Sequence, residues 1–247
     1  MTQKESKLLH DLFSETSPDI CLNLHDQRTI YGLDTGKTAT ISFLAPSANK
    51  DRTVTSARKI AMKHIVKMNT LLQKYIPGQV GRYDDTFNDN CVGDSFTAAG
   101  VPTILFEAGH YQEDYQREKT RELIFYALLE LFEINSLENK EIKDSKQYFT
   151  IPENKKNFRD VILRNVYLSN EKPSVSIVIQ YKEELIDNKV EFIPLVEAVG
   201  DLSNYKGHKE IDIRNEEILI NSQRKVLIGD KILTIHCKNN SKEIIFQ

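Results

Sequence analysis

The chain has 247 residues, the scale of one large or two small domains. Its 33 Lys and Arg stand against 36 Asp and Glu, a formal charge of -3 with a pI near 6.1. That balance excludes a protein built around the phosphate backbone, whose domains cluster basic charge, so no nucleic-acid partner is expected. The 40% apolar fraction with ten glycines fits a globular chain rather than a disordered one. No apolar run approaches the roughly 20 residues that span a bilayer, so no membrane partner is expected. Met1–Lys7 leads into a charged helical pattern instead of an apolar signal core. Cys21, Cys91 and Cys237 are odd in number and widely spaced, with no CxxC pair. They read as reduced thiols in a cytoplasmic protein, not as a disulfide frame or zinc knuckle.

The first half alternates helical and short apolar patterns. Thr2 and Glu5 have the spacing of a capping box, and Leu8, Leu9, Leu12 and Phe13 then share one helical face. Ser17-Pro18 stops that helix. Ile20–Leu24 reads as a buried strand emptying into the polar cluster His25-Asp26-Gln27-Arg28. Thr40–Leu44 is a second strand, closed by Pro46. From Asp51 to Tyr75 the apolar spacing turns helical, with Val54, Ala57, Ala61, His64, Met68, Leu71 and Tyr75 on one stripe. On that stripe His64 is expected to be a core histidine. Pro77-Gly78 breaks the helix, and the polar stretch 79–90 reads as a surface loop. A short helix over Asp94–Ala99 precedes a buried strand, Val101–Phe106, which ends at Glu107-Ala108-Gly109. A helix from Asp114 to about Ile134 follows, apolar at Ile124, Ala127, Leu128, Leu131 and Phe132. This order predicts an α/β fold, a mixed and largely parallel sheet flanked by helices.

After residue 137 the composition shifts. Residues 138–157, rich in Lys, Glu, Asn and Asp, read as a linker between a first domain over 1–137 and a second over 158–247. The second is β-rich. Its runs are Val161–Leu163, Ser174–Tyr181, Val190–Val199, Ile218–Ile220, Lys225–Ile228, Ile232–Ile235 and Ile244–Phe246, with turn pairs at Asp187-Asn188 and Gly229-Asp230. That spacing suggests a small sandwich or barrel. His208 and His236 fall here without evident partners.

In an α/β sheet ligands bind beyond the carboxyl ends of the strands. His25 and Glu107 each end a strand, and if the two strands run parallel both open onto one edge. Such a pair serves as metal ligand and general base, as a plain acid–base pair, or, for the His, as a hydrogen-bonded structural group.

The words Asn23-Leu-His-Asp-Gln-Arg28 and Pro102-Thr-Ile-Leu-Phe-Glu-Ala-Gly-His110 resemble the zinc carboxypeptidase family of the funnelin type, over about residues 1–135. The resemblance implies a hydrolase of C-terminal peptide or small amide bonds. In it His25 is a zinc ligand, Glu107 the base that acts on metal-bound water, and Tyr83 a loop residue that closes over substrate. Asp26 and Arg28 support the ligand. Zinc in a hydrolase takes three protein ligands and leaves one position for a water whose pKa falls to about 7. The family's first two ligands come from a His-x-x-Glu motif upstream of the matched words. Here the motif occurs only as His110–Glu113, after the base position, and is taken as coincidence. The chain therefore looks like the C-terminal portion of such a catalytic domain, inactive by itself. Two other functions fit the same residues: an N-acyl amino acid hydrolase of the desuccinylase type, which often carries a β-rich extension, and a binding protein that lost its metal.

Overall fold

The computed structural model describes residues 3–134, 144–168, 173–237 and 243–244. The fold is α/β, with two mixed sheets. The chain forms two compact units: residues 1–28 with 32–154, and residues 29–31 with 155–247.

The first unit runs α1 (Lys4–Thr16), β1 (Cys21–Asp26), β2 (Ile41–Leu44), α2 (Ser56–Leu72), β3 (Val80–Arg82), α3 (Val92–Ala98), β4 (Thr103–Ala108) and α4 (Glu118–Leu131). Its sheet has the order β1-β4-β2-β3. β1 is parallel to β4, β2 is parallel to β3, and β2 is antiparallel to β4. Side chains alternate across this sheet with period two. Ile41, Phe43, Ile104 and Phe106 fall on one face and are fully buried, Phe43 meeting Phe106 edge-on with centroids 5.2 Å apart. Against them lie Ala61, Met62, Ile65 and Met68 of α2 and Leu123, Ala127 and Leu131 of α4. Each large side chain so buried contributes about 1.5–3 kcal/mol.

Several boundaries differ from the sequence reading. β1 extends through His25 and Asp26, and β4 through Glu107 and Ala108, because the paired register continues to the ends of both. β3 falls within the stretch read as loop; three residues are too few to show a period. α2 starts at Ser56, its first turn capped by the Thr55 hydroxyl, which accepts from the Arg58 N–H. Its buried stripe keeps Ala57, Ala61 and Met68 but shifts onto Met62, Ile65 and Leu72, which leaves His64 half-buried and Tyr75 exposed. Burial holds the His64 pKa down. α1 buries none of its side chains: Leu8 and Leu12 are exposed, and Phe13 stacks on Phe96. Thr2 of the expected capping box lies outside the described residues, and Gln3 occupies the cap with no side-chain bond.

The stretch read as a linker, 138–157, lies partly outside the described residues. Its described part holds to the first unit through residue 154. Ser145–Thr150 forms a 3-10 turn that buries Tyr148, whose hydroxyl accepts from the Ala45 N–H. A single buried aromatic outweighs the polar composition around it.

The second unit contains β5 (Phe158–Tyr167), β6 (Val175–Ile186), β7 (Lys189–Gly200), β8 (Lys206–Ile220), β9 (Ile235–Cys237) and β10 (Glu243–Ile244), hydrogen-bonded in the order β10-β9-β8-β5-β6-β7. Asp187 and Asn188 join β6 to β7, both in the left-handed region that such tight hairpins require. Lys225–Ile228 is not a strand. Instead Gly229, Asp230 and Ile232 exchange backbone bonds with Val196 and Pro194 of β7, while Ile235–Cys237 pairs with β8. One segment thus links both sides of the sheet and gives it a barrel-like closure around Val161, Leu163, Ile177, Ile179, Ile213 and Ile235. Residues 245–246 of the last expected strand lie outside the described residues. His208 has partners after all: its Nε2 lies 2.7 Å from the Thr29 carbonyl oxygen and its ring stacks on Phe158.

Beyond β4 the chain passes close to residues 39–40. The Gly109 N–H donates to the Thr40 carbonyl at 2.8 Å, and a Cβ on Gly109 would sit 2.1 Å from the Ala39 carbonyl oxygen. Gly109→Ala should therefore destabilise the protein by about 2 kcal/mol, the overpacking range, as read by urea denaturation.

Candidate functional site

The parallel register of β1 and β4 places His25 opposite Glu107 near the carboxyl ends of both strands. Their side chains meet, with His25 Nδ1 3.9 Å from Glu107 Oε1. The imidazole is half exposed at 51%, and the carboxylate is 10% exposed. His25 Nε2 lies 2.9 Å from Asn23 Oδ1, two residues earlier on the same face, which orients the ring with its Nδ1 toward the carboxylate. Burial, with the Asp26 charge adding to it, pushes the Glu107 pKa up to about 7. A carboxyl group so placed exchanges a proton near neutral pH while staying within reach of solvent through its partner.

A polar network occupies the same strand ends. Ser42 pairs with Glu107 across β2 and β4. Asn154 donates from Nδ2 to the Ser42 hydroxyl at 2.9 Å and to Gln27 Oε1 at 3.0 Å, and the Tyr83 hydroxyl donates to Gln27 Oε1 at 2.7 Å. Gln27 Nε2 donates to the Ala39 carbonyl. A buried amide two residues after His25 is thereby the hub that joins Tyr83 and Asn154 to the end of β1. Tyr83 is tied at both ends, because its N–H also donates to the Phe43 carbonyl. The residues after it are held in turn: Asp85 pairs with buried Arg58 and with Arg52. Burial alone would raise the Asp85 pKa, but the two guanidinium groups hold it below the usual range.

Asp26 points to the opposite face from His25 and lies 3.4 Å from Arg117. Arg28 is exposed, and the cation at Asp26 is Arg117 instead. The five residues singled out in the sequence thus divide. His25 and Glu107 touch, Asp26 acts on Glu107 through its charge, Tyr83 joins the adjoining network, and Arg28 stands apart. Gln27, Asn154 and Arg117 were missed. Amides carry no motif, and Asn154 and Arg117 come from distant segments that only the fold brings near.

For a metal, the chain's described residues offer two facing donors. Among them no group of three or more His, Cys, Asp or Glu is placed to hold an ion. His110–Glu113 does not make a chelate, since His110 is buried against Tyr115 and Glu113 is exposed on a left-handed turn. Compared with known proteins, the chain matches no family model, no curated protein and no solved structure.

The raised pKa of Glu107 has a stability consequence with a definite sign. Between the unfolded value near 4.3 and the folded value near 7, the folded state keeps a proton that the unfolded state has lost, so stability falls as pH rises. Above that window the penalty is constant. Glu107→Gln should raise the melting temperature at pH 8 and leave it nearly unchanged at pH 4, a difference that differential scanning calorimetry measures directly.

Proposed function

We propose that Glu107 is the general base, and His25 a zinc ligand, of a hydrolytic site that cleaves C-terminal peptide bonds or the amide of an N-acyl amino acid. The observation that carries this reading is a nearly buried carboxylate, with a pKa about 7, lying 3.9 Å from an imidazole at the ends of two parallel strands. Glu107 takes a proton from water as the water oxygen bonds to the amide carbon. It then passes that proton to the nitrogen as the C–N bond breaks, leaving a carboxylic acid and an amine.

The zinc expected from the family resemblance is not completed by the described residues: with Glu107 as base, His25 is the one ligand assigned there, where a hydrolytic zinc takes three. In this proposal His25 is one of the zinc ligands. The protein is assigned to the cytoplasm. Three free cysteines support a reducing compartment.

Two measurements test the reading. Calorimetric titration of the chain with zinc should give weak binding that His25→Ala removes; tight one-to-one binding, or binding indifferent to His25, would contradict the ligand assignment. In the native holoprotein, Glu107→Gln should lower turnover by about 10²–10⁴-fold while metal is retained. A near-normal rate in that variant overturns the base assignment. Comparing a peptide with a free C-terminus against an N-acyl amino acid chooses between the two substrates. Failure of the unmodified holoprotein on both points to a binding protein.

A further inference from the structure

Arg117 precedes α4 in a left-handed conformation, φ 63°, and its side chain is only 16% exposed. Its guanidinium reaches back to the ends of both strands that carry the candidate pair. Nη1 donates to the carbonyl of Ala108 at 3.0 Å and to that of Gly109, and Nη2 donates to the carbonyl of Gln27 at 3.0 Å. Those carbonyls lie one and two residues beyond Glu107 and two residues beyond His25. Just beyond the paired residues of the two strands, the Gln27 N–H donates to the Ala108 carbonyl at 2.9 Å. Past that point the ladder stops, and the Gln27 and Gly109 carbonyls take donors from elsewhere. The guanidinium provides several in one rigid plane, which an ammonium group on a flexible stem does not reproduce. The Thr120 hydroxyl lies 3.3 Å from the Gly109 carbonyl, and Thr120 is itself held by its N–H donating to the Asp114 carboxylate at 2.9 Å.

We propose that Arg117 is the positioning residue of the site: by binding the carbonyls of Gln27, Ala108 and Gly109 together, its guanidinium sets the spacing between His25 and Glu107. Its catalytic consequence rests on the hydrolytic reading above, but the positioning itself does not. Without the clamp the last ladder bond frays, and two side chains separated by 3.9 Å lose a fixed geometry. Lysine at this position keeps the charge and loses the fork.

The experiment uses the full chain with 15N-labelled histidine at one fixed pH. Glu107→Gln should shift the His25 ring nitrogens in the otherwise native chain. In the Arg117→Met background the same substitution should produce little or no shift, while the circular dichroism spectrum and the core resonances of Phe43 and Phe106 stay in place. If Arg117→Met does not fold, Arg117→Lys takes its place, with the response expected to fall by at least half. An undiminished response in whichever folded background is used overturns the proposal, as does the absence of any response in the native background. The readout needs no substrate. Loss of the response with no amide cleavage would leave the positioning intact and end the hydrolytic reading, whereas a persistent response ends the positioning whatever the assays give.

Discussion

The pairing of His25 with Glu107 in the parallel ladder of β1 and β4 is the constraint on which the site depends. A strand has period two, so a slip of one residue would turn Leu24 or Asp26 toward Glu107 and send the imidazole to the other face. The sheet guards against that slip. Ile20 and Leu22 pack against the apolar core, and the backbone bonds from the Cys21 N–H to the Pro102 carbonyl and from the Gln27 N–H to the Ala108 carbonyl, both 2.9 Å, hold the two ends of the strand against β4. Packing on the apolar face therefore fixes the chemistry on the polar one.

The two faces also explain why Glu107 is unusual. A carboxylate at a strand end normally turns to water. Glu107 instead sits between two neighbouring strands, with the Asp26 charge close by and His25 as the side chain it meets. The contrast with Asp85 is instructive: that carboxylate is also largely buried, but two guanidinium groups hold it ionised. One acid is arranged to keep its charge and the other to exchange it, and partner identity rather than depth of burial makes the difference.

Much of this was legible in the chain. His25 and Glu107 follow short apolar runs, and the position after such a run is where an α/β sheet opens to ligands. Their contact followed once the two strands proved parallel. Asn154 could not be read the same way, because it acts from a stretch whose composition resembles a linker and whose ordering comes from Tyr148. Gln27 looked like one more loop residue, since nothing local distinguishes an amide that is a hub from one that is solvated. Arg117 was hidden by its length: its backbone belongs to the approach to α4, and its function is exercised at the far end of the side chain. The exposed stripe of α1 shows the reverse error, in which periodicity promised a buried face that the fold does not cover.

The second unit draws on the chain twice. Residues 29–31 belong to it, with the Ile30 carbonyl accepting from the Phe158 N–H and the Thr29 carbonyl meeting His208, although more than a hundred residues of the first unit intervene. Scission after Asn154 would consequently yield a C-terminal fragment that lacks a piece of its own architecture. During synthesis the early tripeptide must wait for its partners to leave the ribosome, so maturation of the β-rich half cannot begin until residues beyond 154 have emerged.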